Sequence, residues 1–220
     1  MPLRVIAGDF RRRLLKTPRG NSTRPYTDRV RQMVFDRLDV TEARVADVFA
    51  GVGTMGIEAL SRGASSCVFF EADTTVYECL KSNVDLIAKS ARTICWKTDV
   101  RRTSFRPRGG IDCLPYSLIF FDPPYADVPH LAPGHSLFES LRRLARDEIS
   151  EKDATLILRT PERTDLQQSG GWTVDERWDI STMIVWRLKK SPWNTDASED
   201  RLLPSELPEE QEPESAGASI

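Results

Sequence analysis

The stretch Ser117-Leu-Ile-Phe-Phe-Asp-Pro-Pro-Tyr125 sets the interpretation of the whole chain. Its four apolar residues, 118–121, form a short continuous run that is typical of a buried strand in a parallel sheet. The two prolines cannot donate to a sheet ladder, so this strand is predicted to end at Asp122. Asp122 and Tyr125 are therefore expected at the carboxyl edge of the sheet, where open α/β sheets bind their ligands.

Strands alternate with helices on both sides of this stretch. Apolar residues at helical spacing predict helices that begin near Asp28 and Ile57, and two more that run through Val76 and Leu137. This alternation indicates a doubly wound, Rossmann-like, mostly parallel α/β sheet that ends in an antiparallel pair. The predicted parallel strands are residues 44–49, 67–70, 93–96, 118–121 and 155–158, and the antiparallel pair is 172–178 and 183–188.

The composition is that of a soluble globular protein. The chain has 220 residues, of which 40% are apolar and 29% charged, and this suits one large domain. No apolar run approaches the ~18 residues of a membrane span, and the N-terminus shows no secretion signal. The four cysteines follow neither a metal-binding nor a disulfide pattern, so reduced thiols in the cytoplasm are expected. We expect a monomer that binds no membrane and no metal.

Charge divides the chain into three parts. Residues 1–37 contain ten Arg or Lys and three Asp, a net charge of +7, whereas residues 191–220 contain eight acidic residues and one basic residue, a net charge of −7. We predict a basic extension at 1–40, built from a small hairpin and a helix, a main domain at 41–190, and a disordered acidic tail at 191–220. The basic head indicates a polyanion partner, because Arg and Lys that neutralise phosphates release counterions.

A glycine-rich turn, Gly51-x-Gly53-x-x-Gly56, lies between the first predicted strand and the next helix. Glycines let such a turn close and let a ligand approach the backbone. Glu71, at the end of the second strand, is placed to accept from ribose hydroxyls, and Asp99, after the third strand, could accept from an adenine amine. These features predict a nucleoside cofactor, although the turn alone would suit a dinucleotide equally well.

With this turn, the Asp-Pro-Pro-Tyr motif at 122–125 resembles that of amino-group methyltransferases that use S-adenosylmethionine. The resemblance implies that the Asp122 side chain and the Pro123 carbonyl hold the exocyclic amine of a base. Tyr125 would stack on the base, and Pro124 would help to stiffen the turn between the two groups. Holding both N–H groups turns the amine lone pair toward the sulfonium methyl group, so catalysis is chiefly positioning and needs no metal.

Further segments resemble the RsmD family of bacterial 16S ribosomal RNA guanine-N2 methyltransferases. They read Arg4-Val-Ile-Ala-Gly8, Thr17-Pro18-x-Gly20 and Arg24-Pro25-x-x-Asp28-Arg29-Val30-Arg31 in the head, and Asp47-Val-Phe-Ala-Gly51-x-Gly53-x-x-Gly56-x-Glu58-Ala59-Leu60 in the body. The resemblance covers residues 3 to about 188. It implies a class I methyltransferase sheet, S-adenosylmethionine as cofactor, and a guanine of 16S ribosomal RNA in a partly assembled small subunit as substrate.

The resemblance also implies which residues form each site. The catalytic residues would be Asp122, Pro123, Pro124 and Tyr125. The cofactor would be bound by Asp47, Phe49, Gly51, Gly53, Gly56, Glu71, Asp99 and Asp122. The RNA would be gripped by Arg11, Arg12, Arg13, Arg24, Arg29 and Arg31.

Two other functions stay open at this point. Asp-Pro-Pro-Tyr is also common in enzymes that methylate adenine N6 in DNA, but such enzymes carry a separate DNA-recognition domain, and the head here has only about forty residues. A methyltransferase fold that binds RNA without catalysis is the second alternative. The intact Gly51, Gly53, Glu71 and Asp122 argue against it.

Overall fold

A computed structural model describes residues 3–18, 27–166 and 169–191 of the chain. Within these residues the chain forms four α-helices and one sheet of seven strands. The helices are α1 (Asp28–Phe35), α2 (Thr54–Ser61), α3 (Thr74–Ile87) and α4 (Ser136–Leu144). The strands are β1 (Arg44–Val48), β2 (Ser66–Glu71), β3 (Arg92–Lys97), β4 (Tyr116–Phe121), β5 (Ser150–Pro161), β6 (Trp172–Ile180) and β7 (Met183–Lys190).

The strand order is β3-β2-β1-β4-β5-β7-β6, which confirms the predicted doubly wound sheet. Strands β1 to β5 pair in parallel, and β7 pairs antiparallel with both β5 and β6. From β1 the chain first winds outward through β2 and β3, and then returns to β4 on the other side of β1. The carboxyl ends of β1 and β4 are therefore neighbours at the point where the winding reverses, which is where such sheets bind ligands.

Apolar side chains fill both faces of the sheet. Helices α1, α2 and α3 cover one face, where Val34, Ile57 and Leu80 are fully buried. Helix α4 covers the other face with Leu137 and Leu141, also fully buried. Because strands β2 and β4 are covered on both sides, they contain the continuous apolar runs 67–70 and 118–121.

The boundaries of some elements differ from the predicted ones. Helix α2 begins at Thr54 and not at Ile57, directly after Gly53, whose left-handed backbone ends the glycine-rich turn. Strand β5 is longer than residues 155–158, since its second half pairs with β7 as far as Pro161. Among the described residues, every helix is too short or too polar to cross a bilayer. The predicted acidic tail lies outside the described residues except for Ser191.

The basic head is a hairpin whose two arms meet at an antiparallel bridge between Arg4 and Leu14. The turn of this hairpin packs against the end of helix α2. A Cβ atom at Gly8 would lie 1.7 Å from the Ser61 carbonyl oxygen, so no other residue fits at this approach. The Ser61 hydroxyl and carbonyl accept hydrogen bonds from the hairpin backbone, which fixes the turn against the end of α2.

A buried carboxylate holds the hairpin to the same helix. Glu58, in the middle of α2, is fully buried and accepts from the backbone N–H groups of Ile6 at 2.8 Å and Ala7 at 3.1 Å. The Arg62 side chain donates to the same carboxylate at 2.8 Å, and the Arg31 guanidinium lies 3.9 Å away. The charge of Glu58 is thus paired and hydrogen-bonded, as burial requires.

Candidate active site

Asp122 directly follows β4, as predicted, at the carboxyl edge of the sheet. Its backbone N–H donates to the Val48 carbonyl at 3.2 Å, which ties it to the end of β1. Its side chain is 18% exposed, and its Oδ1 accepts from Nε of Arg159, on β5, at 2.6 Å. Burial raises the pKa of Asp122 to about 6, although the Arg159 charge and hydrogen bond oppose the rise. At neutral pH the site therefore presents mainly a carboxylate acceptor.

Tyr125 begins a 3-10 helix, Tyr125–Leu131, immediately after the two prolines. Pro123 is buried and Pro124 is exposed with an extended backbone, so the turn between Asp122 and Tyr125 is short and has no free amide of its own. The Arg159 guanidinium carbon lies 5.5 Å from the centroid of the Tyr125 ring. One arginine therefore contacts both the carboxylate and the ring of the motif.

Sequence reasoning missed Arg159. A signal was present, because Arg159 directly follows the apolar run Leu156-Ile-Leu158 at the end of a predicted buried strand. An arginine that is only 8% exposed requires an acceptor or an opposite charge. The structure shows that this partner is Asp122, at the end of the neighbouring strand β4.

The glycine-rich turn has the left-handed backbone that only glycine adopts readily. Gly51 has φ of 56° and Gly53 has φ of 88°. A Cβ at Gly51 would meet nothing within 4 Å, so this part of the turn is open on one side. A Cβ at Gly53 would lie 2.7 Å from a Leu80 methyl group. Gly51 is therefore the glycine at which a ligand could approach the backbone, and Gly53 allows α2 to start close to α3.

Gly56 and Asp47 lie inside the protein and contact each other, and their predicted part in cofactor binding stays a prediction. Gly56 lies within α2, and a Cβ there would be 2.3 Å from Phe69. Asp47 is 2% exposed and accepts from the Gly56 N–H at 2.8 Å. Burial raises its pKa to about 8, with the charges of Asp122 and Glu71 adding to the rise. These two residues fix the start of α2 against β1.

Glu71 ends β2 and faces the glycine-rich turn. Its Oε2 accepts from the Gly51 N–H at 2.9 Å, and its Oε1 accepts from the Asp73 N–H at 2.9 Å. Burial raises the pKa of Glu71, and the backbone hydrogen bonds oppose this rise. Each carboxylate oxygen keeps a further lone pair, so the contact with ribose stays a prediction. The structure adds that Glu71 holds Gly51 in place.

Asp99 and Phe49 border the same edge of the sheet. Asp99 follows β3 and accepts from the Arg101 N–H at 2.9 Å. The Arg101 side chain reaches Asp127, in the 3-10 helix after Tyr125, at 2.7 Å, so the loop after β3 is joined to that helix. Phe49 follows β1 with φ of 64°, and its ring packs edge-on against Phe121 at 5.3 Å. Contact of Asp99 or Phe49 with a cofactor stays a prediction.

The head arginines fall into three groups. Arg11, Arg12 and Arg29 are exposed. Arg13 is exposed too, but its Nη1 donates to the Leu86 carbonyl at 3.1 Å, at the end of α3. The third group is Arg24 and Arg31, neither of which lies on the described surface.

Arg31 lies inside the protein, which argues against its predicted contact with RNA. Its side chain is completely buried, and its Nη2 donates to Asp28 and to the Arg4 carbonyl, both at 2.7 Å. The helical pattern placed it on the solvent face of α1, but the hairpin covers that face. Arg24 lies outside the described residues.

The structure thus collects polar groups at the ends of three adjacent strands, β2, β1 and β4. The open turn at Gly51, the Glu71 carboxylate and the Asp122 carboxylate therefore lie at the same edge of the sheet. Within the described residues, no group of three or more His, Cys, Asp or Glu side chains is placed to bind a metal ion. The chemistry available here is positioning by charged and backbone groups next to an aromatic face.

Comparison with known proteins agrees with this geometry. The family described as conserved hypothetical protein 95 matches residues 3–184. YlbH of Bacillus subtilis (strain 168), named as an rRNA methyltransferase, is 30% identical over 196 residues, which cover 85% of this chain and 100% of YlbH. Ribosomal RNA small subunit methyltransferase D of Escherichia coli (strain K12) is 36% identical over 126 residues, 56% of this chain and 60% of that protein. The solved structure of Escherichia coli yhhF, described as a methyltransferase, gives a TM-score of 0.71 at 25% identity over 87% of this chain and 99% of its own.

Proposed function

Because the chain belongs to the RsmD family, also described as conserved hypothetical protein 95, we propose that it methylates N2 of a guanine in 16S ribosomal RNA with S-adenosylmethionine. The substrate would be the RNA of a partly assembled small subunit. Action on ribosomal RNA follows the names of the relatives, and the base and the atom follow the resemblance of the Asp-Pro-Pro-Tyr motif. A cytoplasmic monomer stays a prediction.

One observation carries the proposal: the Asp122 carboxylate lies at the end of β4, beside β1 and its glycine-rich turn. Val48 and Phe121 are register partners in these two strands, so the groups that follow them start from neighbouring positions. An amine bound to Asp122 and a nucleoside bound at the turn would therefore be adjacent, as methyl transfer between them requires.

The residues at the turn fit an adenosine-type cofactor. Gly51 leaves open space on its Cβ side, and the Glu71 carboxylate has lone pairs to offer to ribose hydroxyls. S-adenosylmethionine, when bound, supplies an electrophilic methyl group on a sulfonium. The protein contributes a fixed loop, because Glu71 holds Gly51 and Asp47 holds the first turn of α2.

Asp122 and the Pro123 carbonyl would orient the base. The N2 amine of guanine is conjugated with its ring and is a poor nucleophile, so its lone pair has to be turned out of conjugation. Two acceptors that hold both N–H groups direct that lone pair toward the methyl group, and Tyr125 restrains the ring by stacking. Asp122 acts as a charged acceptor, and the surplus proton can leave after methyl transfer.

The exposed arginines of the head would hold the RNA. Arg11 and Arg12 project from the hairpin that is fixed to α2, and α2 begins at the glycine-rich turn. Contacts with phosphates would place the RNA relative to the site without reading its sequence. The base itself would have to leave its stack in order to reach Asp122.

The experiment is a single-turnover methylation with labelled S-adenosylmethionine and small-subunit particles from cells that lack the gene. Nucleosides from the RNA are then separated by mass spectrometry. We expect the label in N2-methylguanosine, and particles from cells that keep the gene should accept little. Label in N6-methyladenosine, or no transfer to gene-deficient particles, would contradict the proposed function.

A further inference from the structure

Arg159 joins the two groups that the motif presents to a base. Its Nε donates to Oδ1 of Asp122 at 2.6 Å, and its guanidinium carbon lies 5.5 Å from the centre of the Tyr125 ring. Only 8% of Arg159 is exposed, so the ion pair is shielded from solvent and weakly screened by salt. The side chain comes from β5, so β4 and β5 both build the pocket edge.

A buried ion pair can serve folding alone, and such pairs often add little stability. The ion pair of Arg159 and Asp122 differs from a purely structural ion pair in the groups that Arg159 contacts. The carboxylate is the group that would accept the amine, and the aromatic ring is the group that would stack on the base. A planar guanidinium can hold a carboxylate and a ring face at once, which an ammonium group does less well.

We propose that Arg159 is a positioning residue that keeps the Asp122 carboxylate ionised and oriented and holds the Tyr125 ring beside it. This inference rests on the proposed function, since it assumes that a base amine binds at Asp122. It assigns a role to a residue outside the Asp-Pro-Pro-Tyr motif. The role is exerted through two other side chains, so Arg159 need not contact the base itself.

The charges around Asp122 make this role testable through pH. Arg159 faces it from β5, and Asp47 lies near it on β1, with Glu71 on β2 acting in turn on Asp47. Burial and any charge on Asp47 favour the protonated form of Asp122, and Arg159 opposes both. Removing the Arg159 charge should therefore raise the pKa of Asp122, by roughly 1–3 units for a close opposite charge.

The variants are Arg159→Gln, which removes the charge, and Arg159→Lys, which keeps it but loses the planar fork. Arg187→Gln on β7 is the matched control, because this arginine also pairs with carboxylates in the same sheet but lies away from the motif. Circular dichroism and the unfolding midpoint establish that each variant is folded. Three readouts follow: carboxyl 13C resonances of Asp122 against pH, assigned with Asp122→Asn; single-turnover rates of methyl transfer against pH; and the KM for the particle from steady-state rates.

We expect Arg159→Gln to move the Asp122 titration and the acidic limb of the rate profile upward by roughly 1–3 pH units. Arg159→Lys should leave the limb near its wild-type position and raise the KM for the particle about two- to five-fold, the size of a lost cation–π contact. Arg187→Gln should change neither. An unshifted titration and limb in folded Arg159→Gln would overturn the proposal.

If Arg159→Gln does not fold, Arg159→Lys decides: a wild-type KM would overturn the positioning role. Failure of the proposed function has a different signature. Wild-type enzyme that transfers no methyl group to guanine N2 contradicts the function, whereas the 13C titration of Asp122 still decides whether Arg159 sets its charge.

Discussion

The Glu71 carboxylate accepts a hydrogen bond from the Gly51 amide at 2.9 Å, and so the end of β2 restrains the turn that follows β1. The second oxygen of Glu71 accepts from the Asp73 amide at the start of α3. This residue therefore holds two loops together before any ligand binds. The predicted contribution of Glu71 to cofactor affinity would therefore have two parts, a direct contact with ribose and the fixed shape of the turn.

We expect Glu71→Ala to weaken the binding of S-adenosylhomocysteine by ~2–3 kcal/mol, the range for loss of a charged hydrogen-bond partner. Titration calorimetry with the product analogue measures this without RNA. Glu78→Ala, on the exposed side of α3, is the matched control and should bind as wild type does. Unchanged affinity in folded Glu71→Ala would remove Glu71 from the cofactor site.

Asp122→Ala should slow single-turnover methyl transfer by about 10²-fold or more, as the loss of one positioned polar group in an active site does. Cofactor affinity should stay close to wild type, because the glycine-rich turn and Glu71 belong to other strands. Asp153→Ala, an exposed carboxylate near the start of β5, serves as control. A near wild-type rate for Asp122→Ala would mean that the amine is oriented elsewhere.

Tyr125→Ala should act mainly on the affinity for the RNA particle, with a loss of ~1–3 kcal/mol for one stacked base. Tyr125→Phe keeps the ring and should retain most of that affinity. Filter binding of labelled particles separates this effect from the rate of methyl transfer. Equal losses in both variants would assign the role to the hydroxyl group and not to the ring.

Replacing Arg11 and Arg12 with alanine should weaken RNA binding and flatten its dependence on salt. Two phosphate contacts correspond to a change of about 1.4–1.8 in the slope of log K against log salt. Lys89 and Arg92, which are exposed near the start of β3, give a double variant with the same loss of charge. If both double variants flatten the slope equally, the effect is one of net charge and not of the head.

The stability of the protein should fall as pH rises from 6 to 8, and Asp47 should be a main cause. Its pKa is raised to about 8 in the folded chain, so the folded state binds the proton more tightly than the unfolded state. Each pH unit between the two pKa values then costs on the order of 1 kcal/mol. In Asp47→Asn, which keeps an oxygen for the Gly56 N–H, the unfolding midpoint should decline less over this range.

Much of the sheet could be predicted because its cause is local. Residues 118–121 are all apolar, so both faces of this strand are expected to be buried, and the two prolines end the strand. The location of β4 and the position of Asp122 therefore follow from neighbouring residues. The same holds for the start of α1 at Asp28, which was predicted and where the Thr27 hydroxyl accepts from the Val30 N–H. The predicted boundaries of β5 and α2 were less accurate. The end of β5 depends on its pairing with β7, and the start of α2 depends on the backbone conformation of Gly53.

The roles of the arginines depended on contacts that are distant in the sequence. If α1 is considered alone, Arg31 lies on an exposed face of the helix. In the structure the hairpin covers that face, and Arg4, which Arg31 contacts there, is 27 residues away in the sequence. Arg159 meets Asp122 across 37 residues and two strands. A basic residue in a pattern does not reveal whether its partner is a phosphate or a carboxylate of the same chain.

The Glu58 carboxylate has a consequence for protein engineering. Because it binds the hairpin backbone from the middle of α2, and α2 starts at the glycine-rich turn, the head is not a module that can be transplanted. In a chimera that exchanged only the first forty residues, Glu58 would face the backbone of a different hairpin. Its buried charge would then lose its hydrogen-bond partners. A functional exchange would have to carry α2 with the head, so the RNA arm and the cofactor loop should be inherited together.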